Sequence, residues 1–237
     1  MDNKVILTTT NIDALEINNE ILDKLPGEKY TYYSLDTAHD QNSTNLDELI
    51  PDEFIHSLTP NGLPQHQLTL KLGAIVYLLR NLNINAGLYN GTRLKITRMQ
   101  KFNLLCEIIV GARSGEKICL PRLDFSPDKN ELPFVMNRRQ FPIRLGYCIT
   151  INRAQGQSFD AVGIVLNDAV FSHGQLYVAL TRSHIQHSIK VCLKHDDMYP
   201  HTKDKKKTQN IIPKILPTKK YLKVNFFFHI ANCSNNM

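Results

Sequence analysis

Apolar and polar positions change period several times along the 237 residues. The opening run "KVILTTT" reads as a short buried strand. In "NIDALEINNEILDKL", Leu15, Leu22 and Leu25 fall on one helical stripe with Ile17 and Ile21 beside it, which predicts an amphipathic helix. Thr10 and Asp13, three apart at its start, make an approximate capping box. "KYTYYSL" is a second β candidate, rich in Tyr and Thr. Residues 36–52 are polar and acidic and predict a surface loop. "PDEFIHSL" predicts a short helix opened by Pro51, and "TPNGLPQH" a turn-rich linker.

From Leu68 to Phe125 the period shortens to two. The β runs are "LTLKLGAIVYLL", "TRLKITRM", "NLLCEIIV" and "EKICLPRL", with Asn90-Gly91 as a tight-turn pair. Such a series predicts a small β-barrel or meander. After "SPDKNELP" the α/β character returns. "FPIRLGYCITI" alternates at Ile143, Leu145, Tyr147, Ile149 and Ile151, and "AVGIVL" is a compact buried strand. "FSHGQLYVALTRSH" predicts a helix with Ser172 as N-cap and Gln175 completing a capping box. "SIKVCL" predicts a closing strand. Strand–helix alternation on both sides of a β module predicts one α/β domain with an insertion. The expected divisions are residues 1–65, 66–130 for the β module, 131–193, and a basic tail 194–237.

Charge sharpens this division. Residues 1–70 hold 3 Lys/Arg against 12 Asp/Glu, residues 71–193 hold 16 against 7, and the tail holds 9 Lys against 3 Asp. A basic middle beside an acidic first third fits one face that meets a polyanion, or two halves of one fold that neutralise each other. The five cysteines are widely spaced without a CxxC pair, so reduced, mostly buried thiols are expected and no disulfide framework or zinc ribbon. His184, His187, His195 and His201 cluster without a recurring metal-ligand spacing, and no metal site is expected. No segment approaches the ~18 consecutive apolar residues of a membrane span, and no secretory leader is expected, so the protein is expected inside the cell.

A P-loop nucleotidase needs G-x-x-x-x-G-K-[ST]. The nearest approach is "GARSGEKI", Gly111 to Ile118. Its glycines are one residue too close, Glu116 separates Gly115 from Lys117, and Ile118 replaces the hydroxyl. A hairpin loop at Arg113-Ser114-Gly115 is the better reading. No apolar run ending in Asp-Glu supplies a magnesium carboxylate either.

Two segments, "FPIRLGYCITINRAQGQSFDAVGI" and "FSHGQLYVALTRSH", closely resemble helicase motifs V and VI of the PIF-type helicases, a group that includes the helicases of Helitron transposons. "LTTTNIDALEINNEIL" and "FIHSLTPNGLPQHQLTLKLGAIVYLLRNLNINAGLYNGTRL" are similar to the same family, in the family's order, across residues 5–193. The resemblance implies the C-terminal half of an ATP-dependent DNA helicase. Its fold would be an α/β, RecA-like domain of the P-loop-NTPase type, interrupted by a small Src-homology-three-like β-barrel. The first RecA-like domain, with P-loop and Asp-Glu, is expected as a separate partner, in the same chain or another. ATP and Mg2+ are expected only in the intact helicase.

By the same resemblance, Arg182 matches the motif VI arginine that reaches the γ-phosphate, its planar and permanently charged fork suiting a phosphoryl group. A helix-end arginine offsetting the macrodipole is the plain alternative. Gly156 and Gln157 fall on the motif V loop beside the nucleotide. Thr150, Asn152, Arg153 and Gln155 precede it and are candidates for gripping the phosphates of single-stranded DNA. Many relatives have His-Lys where this chain has Asn152-Arg153. Thr10 and Asn11 match the family's Thr-Asn and either contact DNA backbone or, for Thr10, cap the helix. Arg80, Asn81, Asn90, Gly91 and Thr92 match family positions in the β module. The implied activity is 5′-to-3′ translocation and unwinding in DNA repair, recombination, telomere maintenance or Helitron transposition, in the nucleus or mitochondrion. A non-catalytic nucleic-acid-binding module or transposon remnant is the alternative.

Overall fold

The computed structural model describes residues 3–39, 50–60, 62–127, 132–167, 170, 172, 174–183, 185 and 188–193. Part of the acidic 36–52 stretch, the four clustered histidines and the tail 194–237 lie outside the described residues.

The chain opens with β1 (Lys4–Thr8), α1 (Asn11–Lys24), β2 (Tyr30–Tyr33), β3 (Leu35–His39) and α2 (Asp52–Ser57). Next come β4 (Gln67–Leu70), β5 (Ile75–Leu78), β6 (Arg93–Met99), β7 (Asn103–Ile108), β8 (Lys117–Pro121) and β9 (Leu123–Phe125). The last are β10 (Val135–Gln140), β11 (Ile143–Leu145), β12 (Cys148–Thr150), β13 (Ala161–Leu166), α3 (Gln175–Leu180) and β14 (Ile189–Leu193). Two compact units result. One joins residues 3–19 to those from 147 onward, and the other is residues 20–146.

The first unit is built on a parallel sheet in the order β12-β1-β13-β14. Strands covered on both faces read as near-continuous apolar runs, which is why "KVILT" and "AVGIVL" are legible as strands. Val5, Leu7, Val162, Ile164 and Leu166 are buried. Thr8 lies level with Thr150 on one side and Val165 on the other, so the carboxyl ends of three strands share one edge.

Helix α1 starts as expected. The Asp13 amide donates to Thr10 Oγ1 at 3.2 Å, and the Thr10 hydroxyl donates back to the Asp13 carboxylate at 2.5 Å. Its buried stripe differs from the expected one: Leu15 is exposed, while Ala14, Asn18 and Leu22 are buried. Asn18 draws the helix round. Its Oδ1 accepts from the Tyr147 and Cys148 amides at 3.0 and 2.9 Å, and its Nδ2 donates to the Ala14 and Cys148 carbonyls, both at 2.7 Å. A buried amide satisfied on four sides outweighs one more leucine in the core.

Helix α3 also departs from expectation. It begins at Gln175 after Gly174, whose φ of 78° turns the chain into the helix, and no side chain caps it. Ser172 contributes only its carbonyl, which accepts from the Gln175 amide at 3.3 Å. Leu176 is buried, whereas Leu180 is exposed.

In the second unit an antiparallel sheet runs β11-β5-β6-β7-β8, with a three-stranded sheet β3-β10-β9 and the pair β2-β4. Alternation in β7 is clean, with Leu104, Cys106 and Ile108 inward. Three sequence expectations are redrawn. "LTLKLGAIVYLL" breaks at Gly73, φ 79°, so β4 pairs with β2 while β5 pairs with β6 and β11. Lys71, buried at this break, donates to the Asp23 and Leu25 carbonyls at the end of α1, where a cation meets unpaired carbonyls and the negative end of the dipole. The run Ile143–Ile151 is two strands in different sheets, parted at Gly146. A Cβ there would stand 3.2 Å from the Val76 backbone.

The third change is at residues 36–39, expected as loop, which with Leu35 form β3 against β10. Asn90-Gly91 does make a turn, with the Thr92 amide donating to the Tyr89 carbonyl at 3.0 Å. That turn ends the long β5–β6 connection instead of forming a two-residue hairpin. Between β7 and β8, Gly115 at φ 90° closes the hairpin expected at Arg113–Gly115. Among the described residues no helix is long and apolar enough to cross a membrane.

Candidate functional site

Ligands of parallel α/β sheets bind outside the carboxyl ends of the strands. At that edge of the first unit, Thr8 leads to Thr10 and Asn11, and Thr150 leads to Asn152 and Arg153. Asn11, Asn152, Gln155 and Gly156 are exposed, Arg153 and Gln157 are half-buried, and Thr150 is buried. Asp13 is a hub beneath this edge. Besides Thr10 it accepts a hydrogen bond from Asn167 Nδ2, at the end of β13. The Thr10 hydroxyl is therefore used in capping, one of the two readings open from sequence.

The connection after β12 folds into successive turns. The amides of Arg153 and Ala154 donate to the Thr150 carbonyl at 3.0 and 3.2 Å, that of Gln157 to Ala154 at 3.0 Å, and Gln157 Nε2 to the Arg153 carbonyl at 3.2 Å. Gly156 stands at φ 80°, and a Cβ added to it would meet nothing within 4 Å. Backbone conformation, and no crowding by this chain, is what calls for glycine there. The return leg ends at Asp160, whose amide donates to the Asn3 carbonyl and whose carboxylate accepts from Asn3 Nδ2 at 2.8 Å. That is the amino edge of the sheet. One ten-residue connection thus runs from the carboxyl edge to the amino edge, about 17–20 Å along β13 at ~3.3 Å per residue.

Arg182 holds this connection to α3. Its Nη1 donates to the Gln157 and Ala154 carbonyls at 3.0 and 3.4 Å, and its Nε to the Val178 carbonyl at 2.9 Å. Its own carbonyl accepts from the Phe159 amide at 2.8 Å. Nη2 makes a single bond, 3.0 Å to the Thr181 hydroxyl, so one of its hydrogens meets no acceptor among the described residues. Every acceptor is a neutral oxygen, and the guanidinium is half-buried. The Val178 bond is a helix-end contact, as the macrodipole reading requires. The bonds to Ala154 and Gln157 go beyond it and bring the two motif-like segments together.

In the second unit the family-matching polar residues serve the β5–β6 connection. Asn81 Oδ1 accepts from the Asn90 amide at 2.7 Å, Thr92 Oγ1 donates to the Gly87 carbonyl at 3.0 Å, and Arg80 donates to the Asp124 carbonyl at 3.1 Å. Sequence reasoning missed Asn18 and Arg138. Asn18 lies inside the family-like run "LTTTNIDALEINNEIL" and Arg138 in none, and it is their burial that identifies both.

Two family models match parts of the chain. A family model described as "DNA helicase Pif1, 2B domain" matches residues 53–99, and one described as "UvrD-like helicase C-terminal domain" matches residues 145–186. The chain is 31% identical to the ATP-dependent DNA helicase PIF1 of Xenopus laevis over 183 residues, 77% of this chain and 26% of that protein. The chain belongs to the Pif1 helicase family.

Human PIF1 is 29% identical across 78% of the chain, and Pif1 of Campylobacter jejuni 31% identical across 80% of it. The chain spans 26% of the length of the human relative and 42% of the bacterial one. Among solved structures, Bacteroides Pif1 bound to single-stranded DNA superimposes with a TM-score of 0.59 at 25% identity, over 81% of this chain and 41% of that one. Candida albicans Pif1 gives 0.62 at 20% identity, over 82% and 46%. The α/β architecture of the first unit is thus that of a Pif1 helicase C-terminal region.

Proposed function

We propose that this Pif1-family chain is the second motor half of an ATP-dependent helicase that moves 5′ to 3′ along single-stranded DNA. The observation that carries the reading is the bond from Arg182 to the Gln157 carbonyl, which joins the motif V and motif VI segments. Its 237 residues contain no P-loop sequence, so a P-loop-bearing first RecA-like domain, in cis or in trans, completes the site. ATP with Mg2+, held there, supplies the phosphoryl group.

Arg182 then offers Nη2 to the γ-phosphate, where an arginine is worth about 10³–10⁵ in rate. Gly156 and Gln157 lie beside the nucleotide. Asn11, Asn152, Arg153 and Gln155, with Thr10 and Thr150 behind them, face the strand's phosphates without reading its bases. The connection 151–160 reaches both edges of the sheet, which is how a change at Arg182 reaches the DNA side. We assign the five-stranded sheet as the Src-homology-three-like barrel, inserted as a domain of its own, and place the protein's work in nuclear or mitochondrial genome maintenance or Helitron transposition. One observation favours a second reading, a non-catalytic single-strand-binding module: all three guanidinium nitrogens of Arg182 are already bonded to protein.

The test is ATP turnover by the purified chain, with and without single-stranded DNA. No DNA-stimulated turnover is expected from the chain alone. Adding the P-loop domain of a Pif1 relative restores it, and Arg182→Ala abolishes the restored activity. DNA-stimulated turnover by the chain alone that depends on Arg182 would overturn the half-site reading. Single-strand binding with no restored turnover favours the module.

A further inference from the structure

The second unit brings three metal-ligating side chains together from distant parts of the chain. Asp36 on β3, His56 in the last turn of α2 and His66 just before β4 each offer one ligand atom, and these atoms lie within 4.8 Å of one another. His66 Nδ1 is 3.5 Å from Asp36 Oδ2 and 2.8 Å from the Ser34 hydroxyl. The rings of His56 and His66 stack with centroids 3.7 Å apart.

We propose that Asp36, His56 and His66 form a binding site for a divalent transition-metal ion of the zinc type. Two imidazoles and a carboxylate are a donor set zinc takes in tetrahedral sites, at about 2.0–2.2 Å. Calcium and magnesium ask instead for a shell of oxygens. Both histidines would bind as neutral rings.

Asp36 is already oriented. Ser34 Oγ donates to its Oδ1 at 2.6 Å, and Arg138 donates to both oxygens. Partners of this kind set the direction of a ligating carboxylate. The Arg138 charge opposes a second cation, so the site is weaker than one with four anionic or imidazole ligands. Stacked rings must also turn for both lone pairs to meet one ion. His56 is the ring placed to do so, since His66 is held by Ser34 and Asp36. The bound ion would tie α2 to β3 and to the start of β4.

The experiment uses the full chain, stripped with a chelator and titrated with ZnCl2 by calorimetry and by thermal melting. Cobalt(II) absorption serves as the optical probe. One equivalent is expected to bind, raising the melting temperature by several degrees, with a tetrahedral cobalt band. His56→Ala should lose the binding and the shift together. Binding unchanged in His56→Ala places the ion at other histidines and overturns the proposal, as does no binding above background. Should His56→Ala fail to fold, X-ray absorption of the zinc-loaded wild type decides. Two imidazoles with oxygen support the site, and a sulfur ligand or a single imidazole overturns it.

Discussion

Arg138 is the largest fully buried side chain described, and it is charged. Its Nε and Nη2 take the Asp36 carboxylate, at 3.0 Å to Oδ1 and 2.7 Å to Oδ2. Nη1 donates to the Leu58 and Pro64 carbonyls at 2.8 and 3.2 Å, and Nη2 also to Ile55 at 2.9 Å. One side chain thus joins β10, β3, α2 and the 58–64 linker. Arg138→Met keeps most of the length and removes every one of these bonds. Asp36 remains, 1% exposed at its side chain, as a carboxylate without its countercharge, and three carbonyls lose a donor. Breaking a buried pair from one side costs roughly 3–5 kcal/mol. The carbonyls add up to about 1 kcal/mol each where water cannot replace the donor.

The expected loss for Arg138→Met is therefore about 4 kcal/mol. At ~2–4 °C per kcal/mol for a chain of this size, the melting temperature falls by roughly 8–16 °C. Urea titration followed by far-ultraviolet circular dichroism measures the loss, and amide exchange of β3 and β10 localises it. Asp36→Leu with Arg138→Met removes both charges and should recover on the order of 2 kcal/mol over the single variant. A single-variant loss under about 1 kcal/mol, or a double variant worse than the single by the full cost of Asp36→Leu alone, refutes the view that this pair organises the unit.

Two further outcomes follow from burial. His66 is held below 6.5, chiefly by burial, so the unfolded chain takes up its proton first as pH falls. Its contribution to stability is whole above about 6.5 and is lost as pH drops from there towards the folded value; urea midpoints at pH 7.5 and 5.5, with chelator present, should differ more in the wild type than in His66→Gln. Burial pushes the Cys106 thiol up to about 12 and raises Cys148 further, while Cys119 and Cys192 are exposed. Brief alkylation of native protein at neutral pH, read by peptide mapping, should mark Cys119 and Cys192 and spare Cys106 and Cys148; equal labelling would show that the sheets open more readily than their packing implies.

Local patterns in the sequence determined β1, β6, β7, β8, β13 and the span of α1, because period and capping depend on neighbours within four residues. The motif V and VI segments were legible for the same reason, as contiguous runs. Tertiary structure decided what lies across the chain. Asn18 faces inward in place of Leu15 because backbone groups of β12, 130 residues away, need its amide. Gly146 divides an unbroken alternation because the Val76 backbone leaves no room for a Cβ. Asp36 reads as an acid in a polar loop until Arg138, 102 residues on, is buried against it. Arg182 reads from sequence as a phosphate hand by resemblance, with a helix-end arginine as the plain alternative, and only folding sets the Gln157 carbonyl beside it. Hydrophobic period is a property of one element, whereas a buried hydrogen bond or ion pair needs two elements already in place.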